Sequence, residues 1–198
     1  MHTSTANGPN ILSVDDDANR RGVCEKLLTE NGYGIAGSIT IDDLTPGKVE
    51  ERQADVVLIN APAPDARALS AIRKLQDAAP RPIVLFSEAN KTERIKAVIA
   101  AGVSAYIEDG LGSNRLRSSI DLAIAQFGES QSLRLELEKT QTALSERKLI
   151  ERAKGIVMKQ RSLDEEGAFQ VMRKTAMDKN VRVAELAKTL IDATEILG

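Results

Sequence analysis

Ile11-Leu12-Ser13-Val14-Asp15-Asp16-Asp17 is a buried-type strand that runs straight into three carboxylates. Asp55-Val56-Val57-Leu58-Ile59-Asn60 is of the same type, with four consecutive aliphatic residues and then a polar one. Strands without polar alternation suit the centre of a parallel sheet, where both faces are covered. Working outward, residues 33–39, 82–86 and 105–107 supply three more strands. Helical spacing fills the gaps. Residues 21–31 place Val23, Leu27 and Leu28 on one face and stop at Gly32; residues 65–75 follow Pro62 and Pro64; residues 91–101 close at Gly102. Strand and helix in repeated alternation predict an α/β doubly wound fold, a parallel five-stranded sheet with helices on both faces. Functional groups then gather beyond the carboxyl ends of the strands.

From Asn114 onward the pattern is helical. Leu116, Ile120, Ala123 and Phe127 recur at three- and four-residue steps, and Leu133, Leu137 and Leu144 follow. Gly128 weakens this long helix without breaking it. Ser130, Arg134 and Gln141 interrupt the best heptad seam, so coiled-coil pairing into a homodimer would be weak. Ser162-Leu163-Asp164-Glu165 has capping-box spacing and predicts a second helix burying Ala168, Val171, Met172 and Thr175. A third begins near Val183 with Leu186, Ala187, Leu190 and Ile191 inward.

Charge divides along the chain. Residues 1–126 carry 14 Lys and Arg against 17 Asp and Glu, whereas residues 147–182 carry 10 against 5. A polyanionic partner would meet the basic back half. A single Cys24 excludes an internal disulfide and fits a reducing cytoplasm, and one His with one Cys leaves no zinc cluster. No apolar run reaches the roughly 18 residues of a membrane span. Neither a nucleophile–base pair nor a cofactor pattern stands out, so an enzyme is not expected.

The first half resembles the receiver domains of two-component response regulators. Asp15 and Asp16 stand where those domains carry an acidic pair for Mg²⁺, and Ser87 stands where they carry a product-sensing hydroxyl. The resemblance puts Asn60 in place of the phosphate-accepting aspartate. In Ala105-Tyr106-Ile107-Glu108-Asp109 it puts Asp109 in place of the lysine. An amide has no anionic oxygen to attack phosphorus, and an anion at the lysine position repels phosphate. The implied domain is a pseudo-receiver over residues 9–124. Asp15 and Asp16 could hold Mg²⁺ weakly, or could be a solvated turn or helix cap.

The stretch Glu146-Arg147-Lys148-Leu149-Ile150-Glu151-Arg152-Ala153-Lys154-Gly155-Ile156-Val157-Met158 is the most specific motif in the chain. With Glu166, Phe169, Met172, Arg173 and Met177 downstream, it resembles the ANTAR domain of bacterial transcription antiterminators. Residues 125–134 then form a connecting helix, and residues 135–198 an all-α three-helix RNA-binding domain. The segments Gly102–Ile107 and Glu195–Gly198 add a likeness to the nitrate-responsive NasT group. That group implies mRNA leader hairpins as ligand and a nitrate- or nitrite-sensing regulatory protein as controlling partner. Arg147, Lys148, Arg152, Lys154, Lys159, Arg173 and Lys174 are the candidate RNA contacts. Phe169, Met158, Met172 and Met177 read first as core. A DNA-binding regulator and a phosphorylation-dependent switch are the competing readings.

Overall fold

A computed structural model describes residues 8–88, 92–108 and 113–197, with Thr92, Ser113, Asn114, Ile196 and Leu197 described by backbone alone. The order is β1 (Asn10–Val14), α1 (Ala18–Glu30), β2 (Gly34–Ile39), α2 (Pro46–Glu51), β3 (Val56–Asn60), α3 (Ala66–Ala78), β4 (Ile83–Ser87), α4 (Thr92–Ala100) and β5 (Ala105–Glu108). Then come α5 (Ser113–Arg161), α6 (Glu165–Asp178) and α7 (Val183–Leu197). The chain divides into two compact units, Met1–Gln131 and Ser132–Gly198.

In the first unit all strands run parallel in the order β2-β1-β3-β4-β5. The order reverses at β1 and β3, so the crevice beyond their carboxyl ends is the place for a site. Alternate residues of each strand feed opposite faces. Leu12, Val14, Val57, Ile59, Ile83 and Leu85 enter one core with Ile72 and Leu75 of α3. Ile11, Val56, Leu58, Val84 and Phe86 enter the other with Leu28 of α1 and Leu116 and Ile120 of α5.

Several local expectations need correction. Val23 is exposed, and Cys24 takes its place beside Leu28 as the buried face of α1. A free cysteine behaves as a small apolar residue, so it serves there as well. Helix α2 was not foreseen, because six residues that bury only Val49 carry no periodic signal. Gly32 does end α1, at φ +80.

The second unit packs the end of α5 against α6 and α7. Ala153 and Val157 meet Ala168, Met172 and Ala176, and Leu186, Ala187 and Ile191 close the core. Ser162 does not cap α6. It has φ +52, and Asp164 is the N-cap, its carboxylate accepting the Gly167 N–H at 2.8 Å.

Candidate functional site

Asp15, just past β1, is enclosed: its side chain is 0% exposed. Oδ2 accepts from Arg20 Nε at 2.9 Å and from Asn60 Nδ2 at 2.9 Å. Oδ1 accepts from Arg20 Nη2 at 2.7 Å and from the Asp17 N–H at 2.8 Å. A carboxylate offers about four lone-pair positions, and four donors occupy them here. Arg20 comes from the first turn of α1, which Asp17 caps by accepting the Asn19 and Arg20 N–H groups. The Asp15 hydrogen bonds raise the Arg20 pKa above its ordinary value, and the guanidinium is charged in any case. Arg21 adds a bond from Nη1 to the Asp15 carbonyl oxygen at 2.6 Å.

Asp16 is also engaged. Its Oδ1 accepts the Ile41 N–H at 2.9 Å, and its Oδ2 pairs with Arg67 Nη2 at 3.0 Å. Arg67 also reaches Asp42 at 2.8 Å and Asp65 at 3.6 Å. Asp15, Asp16, Arg20, Asn60, Asp65 and Arg67 line a cleft of about 110 Å³ together with Pro62 and Pro64. Ser87 is buried at the end of β4, and its hydroxyl donates to the Pro62 carbonyl at 3.0 Å. Asp65 caps α3 by accepting the Ala68 N–H at 2.9 Å. Asp109 lies outside the described residues. Asp15, Asp16, Asn60 and Ser87 thus sit where the strand pattern put them, at the carboxyl ends of β1, β3 and β4. Arg20 and Arg67 were missed, since an arginine on a helix reads in sequence as a solvated charge.

In the second unit the seven flagged cations separate. Lys154 is withdrawn from the candidate contacts. Its side chain is 10% exposed, and Nζ is held by Glu151 at 2.7 Å and Glu165 at 2.6 Å, tying α5 to the start of α6. Those two carboxylates raise its pKa, Glu151 the more. Arg152 is exposed but paired with Glu195 of α7 at 2.6 Å. Arg147, Lys148, Lys159, Arg173 and Lys174 are exposed and make no ion pair among the described residues. At 3.6 residues per turn, Lys148 and Lys159 fall about 20° apart and about 120–180° from Ala153 and Val157, on the side of α5 away from the core. On α6, Arg173 lies one helical turn from Phe169 and one from Met177. Met177 is 71% exposed and Phe169 36%, so neither is core filler, whereas Met172 is buried.

Residues 11–121 match the family model described as a response regulator receiver domain, and residues 138–191 match the ANTAR domain. The chain is an ANTAR response regulator. The regulator is 25% identical over 182 residues to the transcriptional regulatory protein PdtaR of Mycobacterium tuberculosis, across 92% of this chain and 89% of that one. It is 40% identical over 84 residues to the nitrate regulatory protein of Klebsiella oxytoca, across 42% of this chain and 21% of that one. A receiver domain of a modulated diguanylate cyclase from Desulfovibrio desulfuricans G20 superposes with a TM-score of 0.53 at 17% identity, over 63% of this chain and 99% of that one. That likeness fixes the fold of the first unit.

Receivers imply a divalent cation at the acidic pair, and the residues of this regulator do not fit one. Magnesium needs ionised oxygens free to enter an octahedral shell. Asp15 has none free, Asp16 is split between a backbone N–H and Arg67, and Asn60 contributes no charge. Among the described residues, no group of three or more His, Cys, Asp or Glu could hold a metal.

Proposed function

We propose that the regulator is an RNA-binding transcription antiterminator, acting on nitrate- or nitrite-assimilation genes and controlled by a sensor protein rather than by aspartyl phosphorylation. The observation that carries the RNA reading is that five of the seven candidate contacts, in the unit that includes the ANTAR match, are exposed and make no ion pair among the described residues. Lysines facing away from the core of α5 suit the phosphates of a hairpin stem. Arg173, one turn from a half-exposed ring, suits unpaired loop bases, because guanidinium and aromatic planes both stack on them. Residues 147–182 bind through their basic surface, and Lys154 supports that surface from behind.

Control by a partner rests on chemistry at the other end. The amide of Asn60 donates to Asp15 and offers phosphorus no anionic nucleophile. A signal must then arrive as a binding event that favours one state over another. The similarity to a nitrate regulatory protein supports nitrate or nitrite as that signal. The exposed Leu133, Leu137 and Leu144 on α5 support pairing of two copies through a coiled coil.

The test compares full-length protein on a two-hairpin leader RNA and on duplex DNA of equal length at matched salt. Tighter binding to the RNA is expected. Preference for the duplex would replace this reading with a DNA-binding one.

A further inference from the structure

The pocket at the head of the sheet contains its own cation. Arg20 presents a two-pronged fork to both oxygens of Asp15, at 2.9 and 2.7 Å, and stands 3.7 Å from Asp17. Glu88, one residue beyond β4, also acts on it electrostatically. The guanidinium is therefore flanked by the acids that follow β1, with Asn60 of β3 completing the Asp15 shell. Arg67 does the same for Asp16, Asp42 and Asp65. Among the described residues no buried side-chain nitrogen or oxygen is left without a partner, Asp15 included.

We infer that Arg20 is a built-in counter-ion that replaces a divalent cation, so the pocket is closed to Mg²⁺ independently of the loss of a carboxylate at Asn60. This rests on the family assignment and the pocket geometry, and does not depend on what the second unit binds. Two physical points support it. A tethered guanidinium has a high local concentration that a dissolved ion must overcome, and a bidentate fork is lost only as a pair of bonds. A divalent ion seated at Asp15 would also stand a few ångströms from that positive group. Even at the dielectric of water, their repulsion weakens binding by about tenfold or more. Restoring the carboxylate at Asn60 alone leaves the cation in place. The first unit is in consequence disabled twice, once at the nucleophile and once at the metal.

The test follows Mg²⁺ binding by titration calorimetry and by the Mg²⁺-dependent shift in Tm on the full chain. Wild type and Asn60→Asp should show no saturable binding. The double variant Asn60→Asp/Arg20→Gln should gain it, about tenfold or more tighter than any trace seen in Asn60→Asp. Circular dichroism checks that each variant is folded. Equal affinity in Asn60→Asp and the double variant would overturn the inference, and so would a folded double variant that ignores Mg²⁺. If the double variant does not fold, Asn60→Asp/Arg20→Met replaces it, removing the charge and the fork while keeping an apolar stem. Measurable binding there supports the inference, and none overturns it. Saturable Mg²⁺ binding by Asn60→Asp comparable with that of the Arg20 variants is fatal whatever the RNA experiments show.

Discussion

Salt dependence of RNA binding tests which cations of the second unit meet the ligand. Of the seven candidate contacts, five make no ion pair among the described residues. Each phosphate contact contributes a slope of about −0.7 on single strands and −0.9 on duplex in a plot of log K against log salt. With all five on phosphate the slope is about −3.5 to −4.5, a loss of about 130- to 500-fold for a fourfold rise in salt. Seven contacts would give a slope of about −4.9 to −6.3 and a loss of about 900- to 6,000-fold. Single substitutions sharpen the comparison. Arg173→Gln should flatten the slope by about 0.7–0.9, and should cost about 1–3 kcal/mol if the guanidinium reads a loop base. Lys154→Met should leave the slope unchanged. The methionine keeps the apolar stem, and Glu151 and Glu165, at 54% and 73% exposed, can be solvated by water once the ammonium is gone. The assay is fluorescence anisotropy of full-length protein on leader RNA over a salt series. A slope flattened as much by Lys154→Met as by Arg173→Gln would refute the assignment, as would an overall slope near zero.

Other consequences are more local. Met172→Ala empties a position buried between α5, α6 and α7, and should cost about 2–5 kcal/mol by denaturant titration; a loss under about 1 kcal/mol would contradict that packing. Leu137→Lys with Leu144→Lys should turn a weak dimer into a monomer in sedimentation velocity without changing helix content; an unchanged oligomeric state would exclude the α5 seam. Burial pushes the Cys24 thiol above its usual range, with a Ser13 hydroxyl bond to Sγ at 3.3 Å opposing. The folded state therefore holds the thiol proton more firmly than the unfolded chain, and stability should fall as pH rises through the ordinary thiol range. Ellman's reagent should react with Cys24 only after unfolding; rapid reaction in the native state would show the position to be open.

The sheet was readable because buried parallel strands leave unbroken apolar runs such as Val56–Ile59, and because turns announce themselves through Gly32, Gly102 and the Pro62/Pro64 pair. Asp15, Asp16, Asn60 and Ser87 were readable for a related reason: position at a strand end is set by register, which the pattern carries. What escaped depends on tertiary direction. Whether Arg20 points to water or into the Asp15 shell is decided by how α1 docks, and its neighbours in sequence say nothing about that. Lys154 was misread for the same reason, since a lysine within a basic run looks solvent-facing until α6 brings Glu165 to it. Val23 and Cys24 were exchanged because a helix face one residue out of phase still keeps a plausible apolar stripe. Ser162 and Asp164 both begin plausible caps, and only the positive φ of Ser162 separates them.

The regulator is proposed to join a basic RNA-binding unit to a receiver that phosphorylation cannot switch. Single-round transcription through a hairpin-rich leader, with and without the full-length regulator, tests both halves together. Added protein should increase read-through of the terminator, and acetyl phosphate with Mg²⁺ should change nothing. Read-through that ignores the protein, or that appears only with the phosphoryl donor, would contradict the account.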